Sequence, residues 1–220
     1  MKTKILKTDE AAVQTAGRVL KNGGIAAFPT DTVYGLGAVY CDAQAVRKIF
    51  AAKGRPEEKP LSILISGPEQ VSLLAEEISA SARLLMEHFW PGALTLIFRK
   101  KESAHIPPEV TRGYSTIGVR FPDSDTAVRI IRAAGMPLAA PSANISGRRS
   151  ASRVQEVIED LNGRVDLILD GGDCPVGVSS TVLDLSGEEN GRIRLLREGT
   201  VTCSMIEEVI GRPVEKTERK

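Results

Sequence analysis

The sequence predicts an α/β layered fold built on a mixed sheet. Short runs rich in apolar and β-branched residues alternate with stretches of helical periodicity, about seven of the first among five or six of the second. The spacing near the C-terminus is that of a hairpin, which a purely parallel sheet does not contain. With 220 residues, 42% apolar and 26% charged, the chain is long enough to bury about 70% of its unfolded surface without a disulfide or structural metal. No internal repeat or interdomain linker interrupts it. Residues 1–211 therefore read as one domain, and the nearly all-polar 212–220 as a tail expected to fray.

Over 9–21, Ala12, Ala16, Val19 and Leu20 fall on one helical face, and Asn22-Gly23-Gly24 stops the helix before a strand at 25–28. Asp42 is placed to cap a helix through Ala52, with Val46, Ile49 and Phe50 inward and Gly54 at its end. A strand over 61–65 follows. Pro68 suits a first helical turn, so 68–89 reads as one broken helix or two short ones, ended by Trp90-Pro91-Gly92. Strands over 93–99 and 115–121 flank a proline-rich loop at 106–113. A helix over 124–134 closes at Gly135, and a strand at 137–140 leads into Pro141-Ser142-Ala143-Asn144. The remaining elements are a helix over 152–161 and strands at 165–169, 181–185 and 192–197. Ser204-x-x-Glu207 has the form of a capping box for a last helix.

Composition excludes several functions. The 29 Lys and Arg against 28 Asp and Glu give no global field for nucleic acid, and nine aromatic residues are too few for an evident base-stacking platform. Cys41, Cys174 and Cys203 are odd in number, widely spaced and never C-x-x-C, as expected of a protein from a reducing cytoplasm. No signal peptide or membrane span is expected. Gly-Lys occurs nowhere, so there is no P-loop, and the G-x-G at Gly35 and Gly37 lacks the third glycine of a dinucleotide fingerprint. His88 and His105 form no H-E-x-x-H and are expected to be structural or at the surface. Gly177-Val178-Ser179-Ser180-Thr181 lacks the last glycine of a nucleophile elbow, so covalent catalysis is not signalled.

Four polar segments border predicted strands, where an α/β sheet presents its ligand site. In FPTDTVYGLGA (28–38), Thr30, Thr32 and Tyr34 with Gly35 and Gly37 would surround a small polar ligand, or form a tight turn stabilised by Asp31. In KGRPEEKPLSILI (53–65), Lys53, Arg55 and Lys59 suit phosphate contacts, or lie on a solvated charged loop. In STIGVRFPDSD (115–125), Arg120 sits inside an apolar strand, where it needs a partner: a ligand carboxylate or an aspartate of the fold. In APSANISGRRSAS (140–152), Ser142, Asn144, Ser146 and Ser150 suit phosphate or ribose contacts, or an N-capping turn. GVSSTVLDL (177–185) and RIRLLREG (192–199) are weaker alone; the second puts Arg194 and Arg197 at a strand exit.

Taken together, FPTDTVYGLGA, KGRPEEKPL, WPGALTLI, GVRFPD, PSAN, SSTVLDL and LLREG resemble, in the same order, the YrdC/Sua5 family, over roughly residues 8–200. The resemblance implies an open twisted sheet flanked by helices with a concave basic cleft. It implies a nucleotidyltransferase, L-threonylcarbamoyladenylate synthase, acting on L-threonine, bicarbonate or CO2, and ATP with Mg2+. The product would pass to a downstream transferase that modifies adenosine 37 of ANN-decoding tRNAs to t6A. The chain resembles the short, single-domain form. Lys53, Arg55, Ser142 and Asn144 match the family's ATP-binding and catalytic tetrad. Lys59, Ser115, Ser150 and Arg194 match further nucleotide contacts, while Thr32, Arg120, the backbone at Ala140 and Ser180 match the threonine pocket. Where Sua5-type members often carry a histidine in P-L-x-x-H, this chain has Leu64 in Pro60-Leu61-Ser62-Ile63-Leu64, so that contact is not carried over.

The implied reaction needs no side-chain nucleophile: threonine's amine takes up CO2, and the carbamate oxygen attacks the α-phosphorus of ATP and expels pyrophosphate. Positioning and neutralisation of phosphate charge would carry the catalysis, with Mg2+ held largely by the phosphates. Two other readings stay open on sequence alone: an RNA-binding module with weak tRNA affinity, and a carbamoyl-phosphate-dependent adenylating domain.

Overall fold

The computed structural model describes residues 2–55 and 59–217. Its elements are β1 (Lys4–Lys7), α1 (Glu10–Lys21), β2 (Ala26–Phe28), β3 (Gly35–Val39), α2 (Ala43–Lys53), β4 (Ser62–Leu64), α3 (Val71–Leu74), α4 (Ala80–Phe89) and β5 (Leu94–Arg99), then α5 (Pro108–Thr111), β6 (Thr116–Arg120), α6 (Asp125–Ala134), β7 (Leu138–Ala139) and α7 (Val154–Leu161), and finally β8 (Leu167–Asp170), β9 (Thr181–Gly187), β10 (Arg192–Arg197), α8 (Cys203–Ile210) and β11 (Glu215–Lys216). The strands form one sheet in the order β1-β8-β2-β3-β7-β4-β6-β5-β9-β10-β11. It is mixed, as the sequence predicts: β4 and β6 are parallel, β5 and β6 antiparallel, and β9 and β10 make the C-terminal antiparallel pair. No helix among the described residues is long and apolar enough to cross a membrane.

The helices start and stop where local chemistry dictates. Asp9, Asp42, Ser79 and Ser124 each accept a backbone N–H of the first turn of α1, α2, α4 and α6. Gly54 and Gly135 end α2 and α6 in the left-handed conformation that glycine adopts without a Cβ penalty.

Alternation along the strands separates two cores. Ala26, Phe28, Leu167 and Leu169 face Ala12, Val13, Ala16 and Leu20 of α1 and Ile130 and Ile131 of α6. Their sequence neighbours Ala27 and Ile168 point the other way, into the larger core with Ile63, Leu96, Ile117 and Val119. The α1–α6 pair thus covers the β1–β7 half of one face. The other half of that face, over β4, β6, β5 and β9, presents Ser62, Thr116, Gly118, Thr95, Ile97 and Val182 to an open cleft.

The structure corrects the sequence reading in four places. β3 was expected to be a glycine-containing loop or turn but is a strand, buried at every position. Its glycines reflect close packing rather than turning, because a Cβ on Gly37 would lie 2.7 Å from Cε1 of Phe28. β1, where the sequence reading placed no element, pairs in parallel with β8. α8 is capped by Thr202, whose side chain accepts from Met205 N, and not by Ser204; Glu207 instead accepts from Val214 N at 2.8 Å. Residues 212–217 do not fray: Val214 is buried and β11 pairs in parallel with β10, while 218–220 lie outside the described residues.

Gly17 gives a test in which two local effects oppose. Alanine is the better helix former by about 1 kcal/mol, but a Cβ on Gly17 would lie 2.6 Å from Cβ and 2.8 Å from the carbonyl oxygen of Ala133 on α6. Gly17→Ala should therefore destabilise the fold by about 1–3 kcal/mol in urea denaturation.

A candidate active site on the open sheet face

The cleft has a volume of about 360 Å3. Its floor is made of alternate residues: Ser62 and Leu64 of β4, Thr116, Gly118 and Arg120 of β6, Thr95 and Ile97 of β5, and Val182 of β9. Gly118 lies near its middle, where a Cβ would come within 3.2 Å of both Ser62 Oγ and Thr95 Cγ2. Three loops build the walls: the turn after β2, the loop after β7 and the segment leading into β9.

The turn after β2 is fixed by Thr30, whose hydroxyl donates to Val33 O at 2.7 Å and lies 3.1 Å from Thr32 Oγ1. Asp31, expected as a stabiliser of the turn, instead pairs with Arg120 of β6. Its Oδ1 accepts Nη2 of Arg120 at 2.5 Å, Thr32 Oγ1 accepts Nη1 at 2.7 Å, and Gly92 O accepts Nε at 2.9 Å. The fold thus supplies the aspartate partner that the position of Arg120 requires, and Arg120 still lines the cleft. Burial pushes the Arg120 pKa down while Asp31 pulls it back up.

The loop after β7 is stitched to this turn by the main chain: Ala143 N donates to Tyr34 O at 2.7 Å and Leu36 N to Pro141 O at 2.9 Å. Ser142 faces the cleft, and its hydroxyl donates to Asn144 Oδ1 at 2.5 Å. Asn144 is buried behind it, its amide donating to Ile145 O and to Arg148 O at 3.0 Å. Lys53, only 1% exposed, ends α2 beneath the same loop; its ammonium donates to Ser142 O at 2.6 Å and to Asn144 O. Burial, helped by Arg55, lowers its pKa from 10.5 to about 8, against an opposing contribution from Asp160. The loop is not an N-cap for α7: Glu156 Oε2 accepts from Ser152 N and Arg153 N.

The third wall carries Ser179 and Ser180. Ser180 Oγ is 2.8 Å from Thr95 Oγ1, and its carbonyl accepts from Arg197 Nε at 2.9 Å. Gly177 N donates to Thr32 O at 2.8 Å, which joins this wall to the first.

Of the residues singled out from sequence, Thr32, Arg55, Arg120, Ala140, Ser142, Ser150 and Ser180 line one cleft. Lys53 and Asn144 sit behind its wall. Arg55 donates from Nη2 to Pro60 O at 3.1 Å, and burial lowers its pKa. Lys59 and Ser115 are exposed and do not line the cleft; Thr116, one residue on, does, as strand alternation requires. Pro56, Glu57 and Glu58 of the KGRPEEKPL segment lie outside the described residues. Arg194 pairs with Asp184 at 2.7 Å away from the cleft, whereas Arg197 enters it, because the register of β10 against β9 shifts between Leu195 and Arg197. Arg197 was visible as a strand-exit arginine, but a bulge leaves no mark in an apolar pattern. Thr95 and Gly118 lie in segments that resemble the family but are not among the site residues singled out from sequence. His88 and His105 are both exposed.

The chain matches the family described as Sua5/YciO/YrdC, telomere recombination, over residues 18–199. It is 44% identical over 206 residues to threonylcarbamoyl-AMP synthase of Bacillus subtilis, covering 94% of this chain and 58% of that protein. To threonylcarbamoyl-AMP synthase of Pyrococcus abyssi it is 43% identical, covering 93% of this chain and 59% of the relative. It therefore spans about three fifths of the length of these relatives. The crystal structure of P. abyssi Sua5 complexed with L-threonine superposes with a TM-score of 0.90 at 41% identity, over 98% of this chain and 62% of that one.

Two stability measurements probe the site. Asp31→Ala strands the Arg120 charge in a buried position and should cost about 3–5 kcal/mol in denaturant unfolding. Lys53 binds its proton less tightly folded than unfolded, so the unfolded chain holds more protons between about pH 8 and 10.5. Across that window the wild type should gain stability relative to Lys53→Met as pH rises, and below pH 8 the difference should be flat.

Proposed function

The chain belongs to the Sua5/YciO/YrdC family, and from that membership we propose that it is an L-threonylcarbamoyladenylate synthase, making threonylcarbamoyl-AMP and pyrophosphate from L-threonine, bicarbonate or CO2, and ATP. The observation that carries the reading is the meeting of two chemistries in one cleft. Thr32, Arg120, Ser180 and the backbone at Ala140 offer the polar groups that suit an amino acid, while Arg55, Ser142, Ser150 and Arg197 line the same cavity and suit phosphate. The relatives' names and the L-threonine complex of P. abyssi Sua5 support it.

Arg120 keeps its charge fixed by Asp31 and turns its remaining N–H capacity toward the threonine carboxylate. The threonine amine takes up CO2 as a carbamate, losing one proton. A carbamate oxygen then forms a bond to the α-phosphorus as the bond to the β-phosphate oxygen breaks and pyrophosphate leaves. Arg55 and Arg197 neutralise the charge that develops on the polyphosphate, and Ser142 orients it by turning onto a phosphate oxygen the hydroxyl proton that it otherwise gives to Asn144. Lys53 contributes from behind the wall, by holding the carbonyls of Ser142 and Asn144. The donors lining the cleft are hydroxyls, amides and guanidinium groups, so Mg2+ fits here as a cation carried by the phosphates, which it would neutralise. The product is an activated acyl adenylate, suited to a cytoplasmic transferase that moves its threonylcarbamoyl group to adenosine 37 of ANN-decoding tRNAs and so forms t6A.

Incubation with ATP, Mg2+, L-threonine and labelled bicarbonate should release pyrophosphate and form a labelled adenylate, both dependent on threonine. Labelled adenylate from carbamoyl phosphate alone, or salt-sensitive RNA binding without either product, would overturn the assignment. Within the active enzyme, Arg55→Ala should lower kcat/KM by about 100-fold or more. Arg197→Ala should raise the KM for ATP more than Arg194→Ala, and Thr116→Ala more than Ser115→Ala, in steady-state kinetics.

A further inference from the structure

Behind the cleft wall lies a group that touches neither the cavity nor any residue proposed to contact substrate through its side chain. Asp160 is on α7, its side chain only 9% exposed. Its Oδ2 accepts from Ile145 N at 2.8 Å, and its Oδ1 accepts from Arg148 Nη1 at 2.6 Å. Those two residues bracket a turn closed by Arg148 N donating to Ile145 O at 3.1 Å, whose other contacts include Asn144 Nδ2 to Arg148 O and Ser146 N to Lys53 O at 2.8 Å. A buried carboxylate that receives a backbone N–H from a loop at one end and a guanidinium from the same loop at the other is a clamp on that loop.

We propose that Asp160 is a positioning residue for this active site: it clamps residues 144–148 to α7 and supplies the negative charge that keeps the buried Lys53 ammonium in place under Ser142. Lys53 and Asp160 meet through one peptide group, whose carbonyl, Asn144 O, accepts the Lys53 ammonium and whose N–H, on Ile145, is given to Asp160. Lys53 is buried, and the like charge of Arg55 works against its proton. Arg148, on the loop, is engaged by Asp160 itself. From α7, Asp160 acts to hold the proton on Lys53, together with the two carbonyls that the ammonium bonds. Neutral Lys53 has at most two N–H donors and no charge, so its hold on the two carbonyls weakens and Ser142 loses its backing.

The activity arm of the test rests on the synthase reading, so a second, reaction-independent arm accompanies it. The enzyme should lose kcat/KM as pH rises through about 8, where Lys53 gives up its proton. In Asp160→Asn that loss should begin about one pH unit lower, which removes about fivefold of the activity at pH 8 but little at pH 6. Asp160→Glu keeps the charge and should keep the wild-type pH midpoint even if the displaced loop lowers turnover at every pH. Arg148→Ala, which leaves the carboxylate in place, should not move the midpoint downward. The second arm follows Lys53 directly, by NMR titration of its side chain in the folded wild type and Asp160→Asn; the midpoint should fall in the variant. A uniform loss of activity with an unmoved Lys53 titration would reduce Asp160 to a structural contact and overturn the proposal. Absence of adenylate formation in the wild type would overturn the synthase reading alone, and the titration would still decide the role of Asp160.

Discussion

A buried arginine makes the cleft a single object. Arg120 belongs to β6, Asp31 and Thr32 to the turn after β2, and Gly92 to the segment before β5, and the guanidinium bonds to all three. Those segments are remote in sequence, and hydrophobic packing alone would leave their relative placement loosely specified. A planar donor with fixed bond directions does not tolerate such latitude, because each misplaced acceptor leaves a buried N–H unpaired. The same ion pair explains how a positive group survives at a site only 6% exposed. The cleft retains a guanidinium surface while the fold holds its compensating charge.

Around that anchor the site is organised in two tiers. Hydroxyls and arginines face the cavity, and behind them Lys53, Asn144 and Asp160 hold main-chain atoms of the loop that carries Ser142. Such an arrangement suits a reaction whose bond-making atoms all come from substrates. Where the protein contributes no nucleophile, its work is to fix distances and to place charge before the reactants meet, and both depend on backbone that does not yield.

Much of this was legible in the sequence because the fold obeys simple periodicities. Asp42, Ser124, Gly54 and Gly135 mark helix ends through chemistry local to each residue. The order of the polar segments identified the family, and seven of the residues drawn from them share one cavity. What escaped was non-local. β3 is a strand despite its glycines, which leave the space that Phe28 fills, a fact of tertiary packing. Arg197 rather than Arg194 enters the cleft because of a register shift against β9. Lys53 reads as a phosphate ligand in a basic segment, and only the fold reveals that its ammonium is turned onto the carbonyls of a loop some ninety residues away, Ser142 O at 2.6 Å. Asp160 lay in an ordinary helical pattern and had no motif to distinguish it.

The bare backbone at Gly118 gives the cleft a property that its side chains cannot. Every flexible group that meets a ligand loses rotamer freedom when the ligand binds, at a cost of about 0.5–1.5 kcal/mol for the longer ones. A peptide surface pinned between β4 and β5 has no rotamers to lose. It also cannot swing aside to admit a bulkier guest or collapse inward when the site is empty, so the depth of the cleft is set by hydrogen bonds of the sheet itself. Any ligand on this floor meets a dimension held constant by the secondary structure, with no side-chain rotamers to freeze there.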